Sequence, residues 1–296
     1  MKRVFVILTL IVILIAACGR PASDPSAPAI LASTTFLADI AHNIAGDRLT
    51  VESLLPIGAD PHSYQPTPQD VAKIEDGKLL ILNGAGYEHF LEALLENAGG
   101  AREIIEASAG ITPHEDANEE QGVDPHMWLD PNLVVIYVEN IREGLTRYDP
   151  DGAAVYQSNA DAYLAKLEEL DGWIKTQVEQ VPPEKRLLVT NHEALGYFAE
   201  RYGFEVAGSV IPSFSSNASP SAKQIAALVD QIRALGVSSV FLDAADNDML
   251  ARQIADETGV MVVSDLYLET LTEGGPAATY IDMIRHNVTK IVDALK

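Results

Sequence analysis

Four side chains, far apart in a chain of 296 residues, are of the types that hold a transition metal: His62, His126, His192 and Glu269. Three neutral imidazoles and one carboxylate suit Zn2+. They tolerate Mn2+ or iron, and they disfavour calcium and magnesium, which want oxygen. Two of the histidines share a local phrase, Asp60-Pro61-His62 and Asp124-Pro125-His126. Proline fixes its own φ and pushes the residue before it toward extended geometry, so each of these histidines sits on a stiffened loop. A metal site needs that, because donor positions must be held before the ion arrives. There is no local zinc motif, neither His-Glu-x-x-His nor Cys-x-x-Cys. Spacing alone therefore leaves metal binding and a structural role both open for each histidine.

The elements that must position these residues alternate. Apolar runs at 29–35, 49–56, 79–83 and 103–107 read as strands. Helical segments at 36–45, from 68, at 87–97 and at 131–148 lie between and after them. Thr67-Pro68 and Asp130-Pro131 are helix starts, with a capping side chain and proline at the first helical position. The second half repeats the grammar. Strands are expected at 186–190, 205–211, 239–242 and 260–264, with helices at 193–202, from a Ser219-Pro220 cap to 235, at 248–258 and at 279–295. This alternation predicts an α/β fold with parallel sheets and right-handed crossovers, in which ligands bind beyond the carboxyl ends of strands. His62, His192 and Glu269 each follow a predicted strand at that end, and His126 lies on the loop before a capped helix. Residues 112–122 read as an acidic loop carrying His114.

Between the two βα sets, Tyr156, Ala160, Tyr163, Leu167, Leu170, Ile174, Val178 and Val181 fall at spacings of three and four. They make one apolar stripe on a helix over 151–181, about 45 Å long. It reads as a rigid connector between two lobes. The alternative is a coiled-coil dimer seam, against which small and polar residues interrupt the stripe, so a monomer is expected.

The N-terminus reads as a targeting segment. Lys2 and Arg3 precede an apolar run over 4–17 that is too short to span a bilayer comfortably. Ile15-Ala16-Ala17-Cys18 resembles a bacterial lipobox, which implies cleavage before Cys18 and lipid attachment to its sulfur. The alternative is an ordinary cleaved signal. Cys18 is the only cysteine, so neither a disulfide nor a catalytic thiolate is available. The expected organisation is a signal peptide at 1–17, a lipidated tether at 18–28, an α/β lobe at 29–148, a connecting helix at 149–181 and a second α/β lobe at 182–296. The net charge of −23 argues against nucleic acid as a partner. It suits solubility outside the cytoplasm and concentrates cations.

Four stretches carry a family resemblance. They are Gly58-Ala-Asp-Pro-His-Ser-Tyr-Gln-Pro-Thr-Pro-Gln-Asp70, Asp124-Pro-His-Met-Trp-Leu-Asp-Pro131, Val189-Thr-Asn-His-Glu-Ala-Leu-Gly-Tyr-Phe198 and Tyr280-Ile-Asp-Met-Ile-Arg-His-Asn-Val288. The chain resembles the zinc/manganese-binding lipoproteins of ABC transporters, solute-binding proteins of which some were historically called adhesins. The resemblance implies two lobes, each with a parallel four-stranded sheet flanked by helices, joined by one long helix, with the metal buried between them. It implies His62, His126 and His192 as ligands. The fourth is usually an aspartate in a Leu-Tyr-x-Asp-x-Leu context. Here Leu266-Tyr267-Leu268-Glu269-Thr270-Leu271 puts glutamate in its place, with Asp265 as the other candidate. Manganese-preferring relatives often carry glutamate at the third position, so His192 favours zinc. Zinc-type relatives often carry a long histidine-rich loop before the second ligand, and the single His114 keeps manganese open.

The expected function is lipid-anchored, extracytoplasmic, non-enzymatic capture of Zn2+, alternatively Mn2+, and delivery to an ABC permease. Two competing readings are a secreted zinc hydrolase with Glu269 as base and a surface adhesin with a structural metal. The absence of a Gly-x-Ser-x-Gly elbow removes a serine nucleophile of that kind. His42, His89 and His286 read as ordinary helix residues, and Trp128 as packing. Asp60 and Asp124 read equally as imidazole partners or as turn caps.

Overall fold

A computed structural model describes residues 30–98, 102–115 and 122–296. The signal segment, Cys18 and the tether lie outside the described residues, as does 116–121 of the acidic loop. The first lobe runs β1 (Ile30–Ala32), α1 (Thr35–Ala45), β2 (Val51–Ser53), α2 (Pro68–Asp76), β3 (Leu79–Leu82), α3 (His89–Ala98), β4 (Glu103–Glu106) and α4 (Pro131–Tyr148). The long helix α5 (Ala153–Val178) follows. The second lobe runs β5 (Leu187–Thr190), α6 (Gly196–Tyr202), β6 (Glu205–Ser209), α7 (Ala222–Leu235), β7 (Ser239–Asp243), α8 (Met249–Thr258), β8 (Met261–Leu266) and α9 (Tyr280–Leu295).

Each lobe holds a parallel four-stranded sheet, ordered β2-β1-β3-β4 in the first and β6-β5-β7-β8 in the second. The central strands β3 and β7 are buried at every position, as expected where helices cover both faces. Local chemistry sets the helix starts. Thr67 and Asp70 form a capping box around Pro68, and the Asp130 side chain accepts from the Asn132 amide at 2.9 Å. Two expectations are corrected. The cap of α7 is Ser221, which forms a capping box with Gln224, and Ser219-Pro220 belongs to the preceding loop. Helix α6 starts at Gly196, because 191–195 is spent on the turn that carries His192.

The α5 stripe is buried as spaced, from Tyr156 through Val178, and Val181 is buried just past the helix end. At 26 residues the helix is about 39 Å long. It packs on α1 and α4 of the first lobe and on α9 of the second. One continuous apolar core therefore passes from Phe36 and Ile141 through Tyr163 and Leu170 to Met283 and Ile291. Gly144 permits the close approach of α4 to β4: a Cβ there would meet Ile105 Cδ1 at 2.1 Å.

Candidate metal centre

The loops after β2, β4, β5 and β8 carry His62, His126, His192 and Glu269, all at the carboxyl ends of strands. The fold brings one donor atom from each within 4.8 Å of the others. Glu269 Oε1 is 2.7 Å from His62 Nε2, 3.3 Å from His126 Nε2 and 3.7 Å from His192 Nε2, and the last two nitrogens are 3.3 Å apart. A tetrahedron with metal–donor bonds near 2.0–2.1 Å has edges of about 3.3 Å. The four separations above, at 2.7–3.7 Å, bracket that edge, and the whole set lies within 4.8 Å, so the donors can close on a small divalent ion. His126, His192 and Glu269 are buried, and His62, with 9% of its side chain exposed, forms the edge nearest solvent.

Each donor is held by its own local device. Asp124 Oδ1 accepts from both the backbone amide and Nδ1 of His126, at 2.9 and 2.8 Å. With Nδ1–H committed, Nε2 presents its lone pair to the centre. Asp60 does only half of this. It accepts from the His62 amide at 2.9 Å, and its other oxygen takes hydroxyls of Ser63 and of Ser216 in the second lobe. The two Asp-Pro-His phrases therefore differ: one orients a ring, the other caps a turn and ties the lobes. His192 leaves β5 in a tight turn, with Thr190 Oγ1 donating to the His192 carbonyl at 2.6 Å. Its Nδ1 has no hydrogen-bond partner among the described residues.

The Glu269 loop is gripped from both lobes. On its own side, Asn287 bonds both the amide and the carbonyl of Tyr267, and the Leu268 amide donates to Asp243. From the first lobe, Trp128 Nε1 donates to the Leu268 carbonyl at 2.7 Å. The Gly58 amide donates to Thr270 Oγ1 at 2.9 Å, and the Leu271 amide to Thr35 Oγ1 at 2.8 Å. Trp128 also stacks on Phe36, so its role exceeds the packing expected of it. Asp243, Thr35 and Thr270 escaped the sequence reading. The one signal was Asp243 as a lone acid ending an apolar strand.

Burial by itself would raise the Glu269 carboxyl, but the three imidazoles around it hold it well below the usual carboxylate range. Burial would lower His126, but Asp124 and Glu269 outweigh it and raise the ring to about 9. The pair Asp124–His126 together with Glu269 thus favours positive charge on the His126 ring.

Among the described residues the donor cluster takes Glu269 and does not include Asp265. Strand β8 extends to Leu266, which leaves Asp265 at the edge of the sheet, half-exposed and paired with Lys290. His286 Nε2 donates to the Asp265 carbonyl at 2.7 Å, so this ring is committed to a backbone bond between α9 and β8. His114 stacks flat on Tyr197, with ring centroids 4.0 Å apart, and pairs with Glu200.

Comparison with known proteins agrees with this arrangement. The family described as ZnuA, zinc-uptake complex component A, periplasmic, matches residues 30–294. The chain is 38% identical to the manganese-binding lipoprotein MntA of Halalkalibacterium halodurans, over 100% of this chain and 99% of that one. The Mn-bound periplasmic metal-binding protein of Candidatus Liberibacter asiaticus superposes with a TM-score of 0.80 at 35% identity, covering 90% of this chain and 99% of that chain. The periplasmic zinc-binding protein TroA of Treponema pallidum gives 0.84 at 27% identity, with the same coverage. With its two parallel sheets, its long connecting helix and a family match over nearly all described residues, the chain belongs to the ZnuA family of metal-binding lipoproteins, the substrate-binding components of ABC transporters.

Proposed function

We propose that this extracytoplasmic solute-binding protein captures zinc at His62, His126, His192 and Glu269 and delivers it to its ABC permease. The observation that carries the reading is the donor set itself. Three Nε2 atoms and one carboxylate oxygen cluster at near-tetrahedral spacing, where manganese would seek more oxygen and a larger shell. Four protein donors leave no open position for a substrate or an activated water, which sets a transport site apart from a hydrolytic one. The lipobox-like segment ending at Cys18 supports anchoring through a lipid, and the burial of the α5 stripe within the chain's own core supports a monomer.

Manganese is the second reading, favoured by the names of relatives such as MntA. The test is in two parts. Stripped protein is titrated with zinc and manganese in competition, and uptake of radioactive zinc or manganese is measured in cells carrying the chain with its permease. Zinc is expected to bind one per chain and to be the accumulated metal. Accumulation of manganese alone would transfer the cargo to the second reading. His62→Ala, His126→Ala and His192→Ala are each expected to weaken zinc binding at least 100-fold, and retained affinity in any one removes that residue from the site.

A further inference from the structure

One group beside the centre has no task in the scheme so far. Tyr87 is buried, and its hydroxyl has no hydrogen-bond partner among the described residues. Its ring meets His62 edge-on at 5.7 Å, lies 6.4 Å from His126 and packs at 4.8 Å on Trp128. Burial, and after it the negative charge of Glu269, hold the hydroxyl well above the usual tyrosine range, so it keeps its proton. A buried hydroxyl without a partner is costly and rare, so this one calls for an explanation.

The chain strains its backbone to put Tyr87 there. Gly84, Ala85 and Gly86 are all left-handed, with φ of 85°, 53° and 76°, and Ala85 is the one non-glycine with positive φ among the described residues. The turn is locked by Glu88, which accepts from the Asn83 and Gly84 amides and from Ser33 Oγ. Asn83 in turn donates to the carbonyl of Pro125, next to His126. The strained turn and the second histidine loop are thus one unit.

We propose that Tyr87 is a specificity-determining positioning residue: with metal bound, its hydroxyl donates to the Glu269 carboxylate and reserves one carboxylate oxygen, so that Glu269 stays a one-oxygen ligand. This rests on the four-residue site proposed above. A phenol near neutral pH is a donor, and Glu269, 2.7 Å from the His62 ring that Tyr87 meets edge-on, offers a carboxylate acceptor beside it. Glutamate is long enough to chelate an ion with both oxygens. Holding one oxygen back keeps the site four-coordinate, which suits zinc and penalises manganese, whose shell is larger and richer in oxygen.

The experiment compares wild type with Tyr87→Phe, which keeps the ring and its packing. Zinc and manganese affinities are measured by competition, and cobalt-substituted protein is read by its d–d absorption. The expected result is zinc binding weakened roughly tenfold or more, as for other groups that orient a ligand from behind, with manganese changed much less. The cobalt bands should fall from the intensity of a four-coordinate site toward that of a five-coordinate one. Equal weakening for both metals with an unchanged cobalt spectrum would overturn the proposal and leave Tyr87 a packing residue. Tyr87→Leu, which removes ring and hydroxyl together, should reproduce the metal-ratio shift; a ratio unchanged there also overturns it. A wild-type protein that binds no metal overturns the four-residue site instead.

Discussion

At the scale of single residues, the pair Asp124–His126 sets how the site responds to pH. The His126 ring is raised to about 9, so near neutral pH the metal-free protein holds a proton that the metal must displace. The folded value lies above the unfolded one near 6.5. The protonated pair therefore contributes stability that is complete below about 6.5 and is lost as pH rises through about 9. Metal affinity runs the other way and climbs through the same window, because only the neutral ring coordinates. Calorimetry near pH 7.5 in buffers of different ionisation enthalpy should report release of roughly one proton from this ring per metal bound. Asp124→Asn should remove most of that release and weaken binding roughly 10–100-fold. A release unchanged by the substitution would show that the proton comes from elsewhere. That His62, His126, His192 and Glu269 would gather at one place was legible in the sequence through strand-end placement and motif resemblance. Their supports were not. Asp60 and Asp124 stand in identical phrases, yet only Asp124 reaches its imidazole, because ring orientation depends on what packs across the site.

At the scale of elements, the loop between β8 and α9 ties the two lobes together at the candidate centre. It carries Glu269, it belongs to the second lobe, and three of its hydrogen bonds, two through its backbone and one through the Thr270 hydroxyl, join it to first-lobe groups: Trp128, Thr35 and Gly58. Trp128→Phe removes the indole donor and leaves the Leu268 carbonyl without it, at an expected cost of about 1–3 kcal/mol. If the loop gates release, a chelator chase should show metal leaving about tenfold faster or more, with the association rate less affected. A lowered melting temperature with an unchanged metal off-rate would make Trp128 structural alone. The helices themselves were the most readable feature. The α5 stripe could be written residue by residue, because a period of threes and fours against one core is a local signal. Elements that bend to the site were less readable. Helix α6 starts late because the His192 turn takes its first residues, and α7 is capped by the second of two closely spaced serines. The α6 start depends on tertiary contacts, such as the Glu193 amide donating to the Ser213 carbonyl, that no local pattern encodes, whereas the Ser221–Gln224 capping box of α7 is a local signal that Ser219-Pro220 masked.

At the scale of the whole molecule, one apolar core runs through α5 from lobe to lobe, and separate clusters lie under the outer helices of each. Opening the lobes as a hinge would expose that shared core, including Tyr163, Leu170 and Ile174. The alternative is local: the loops around 56–62 and 267–272 loosen while the frame holds. Scattering should then give a radius of gyration of about 19 Å that chelation leaves within about 1 Å. Hydrogen exchange should rise on metal removal in those two segments and not along α5. Expansion well beyond that range, or exchange spreading along α5, would establish a hinge. The metal should still govern stability, because it binds the assembled site and the unfolded chain offers none. At a thousandfold excess over its dissociation constant, binding adds about 4 kcal/mol. For a chain of this size that corresponds to a melting temperature higher by about 8 °C or more. Zinc should give this rise in wild type, and His126→Ala should lose most of it while keeping the metal-free scattering profile. A rise retained by His126→Ala would place the stabilising metal outside the cleft.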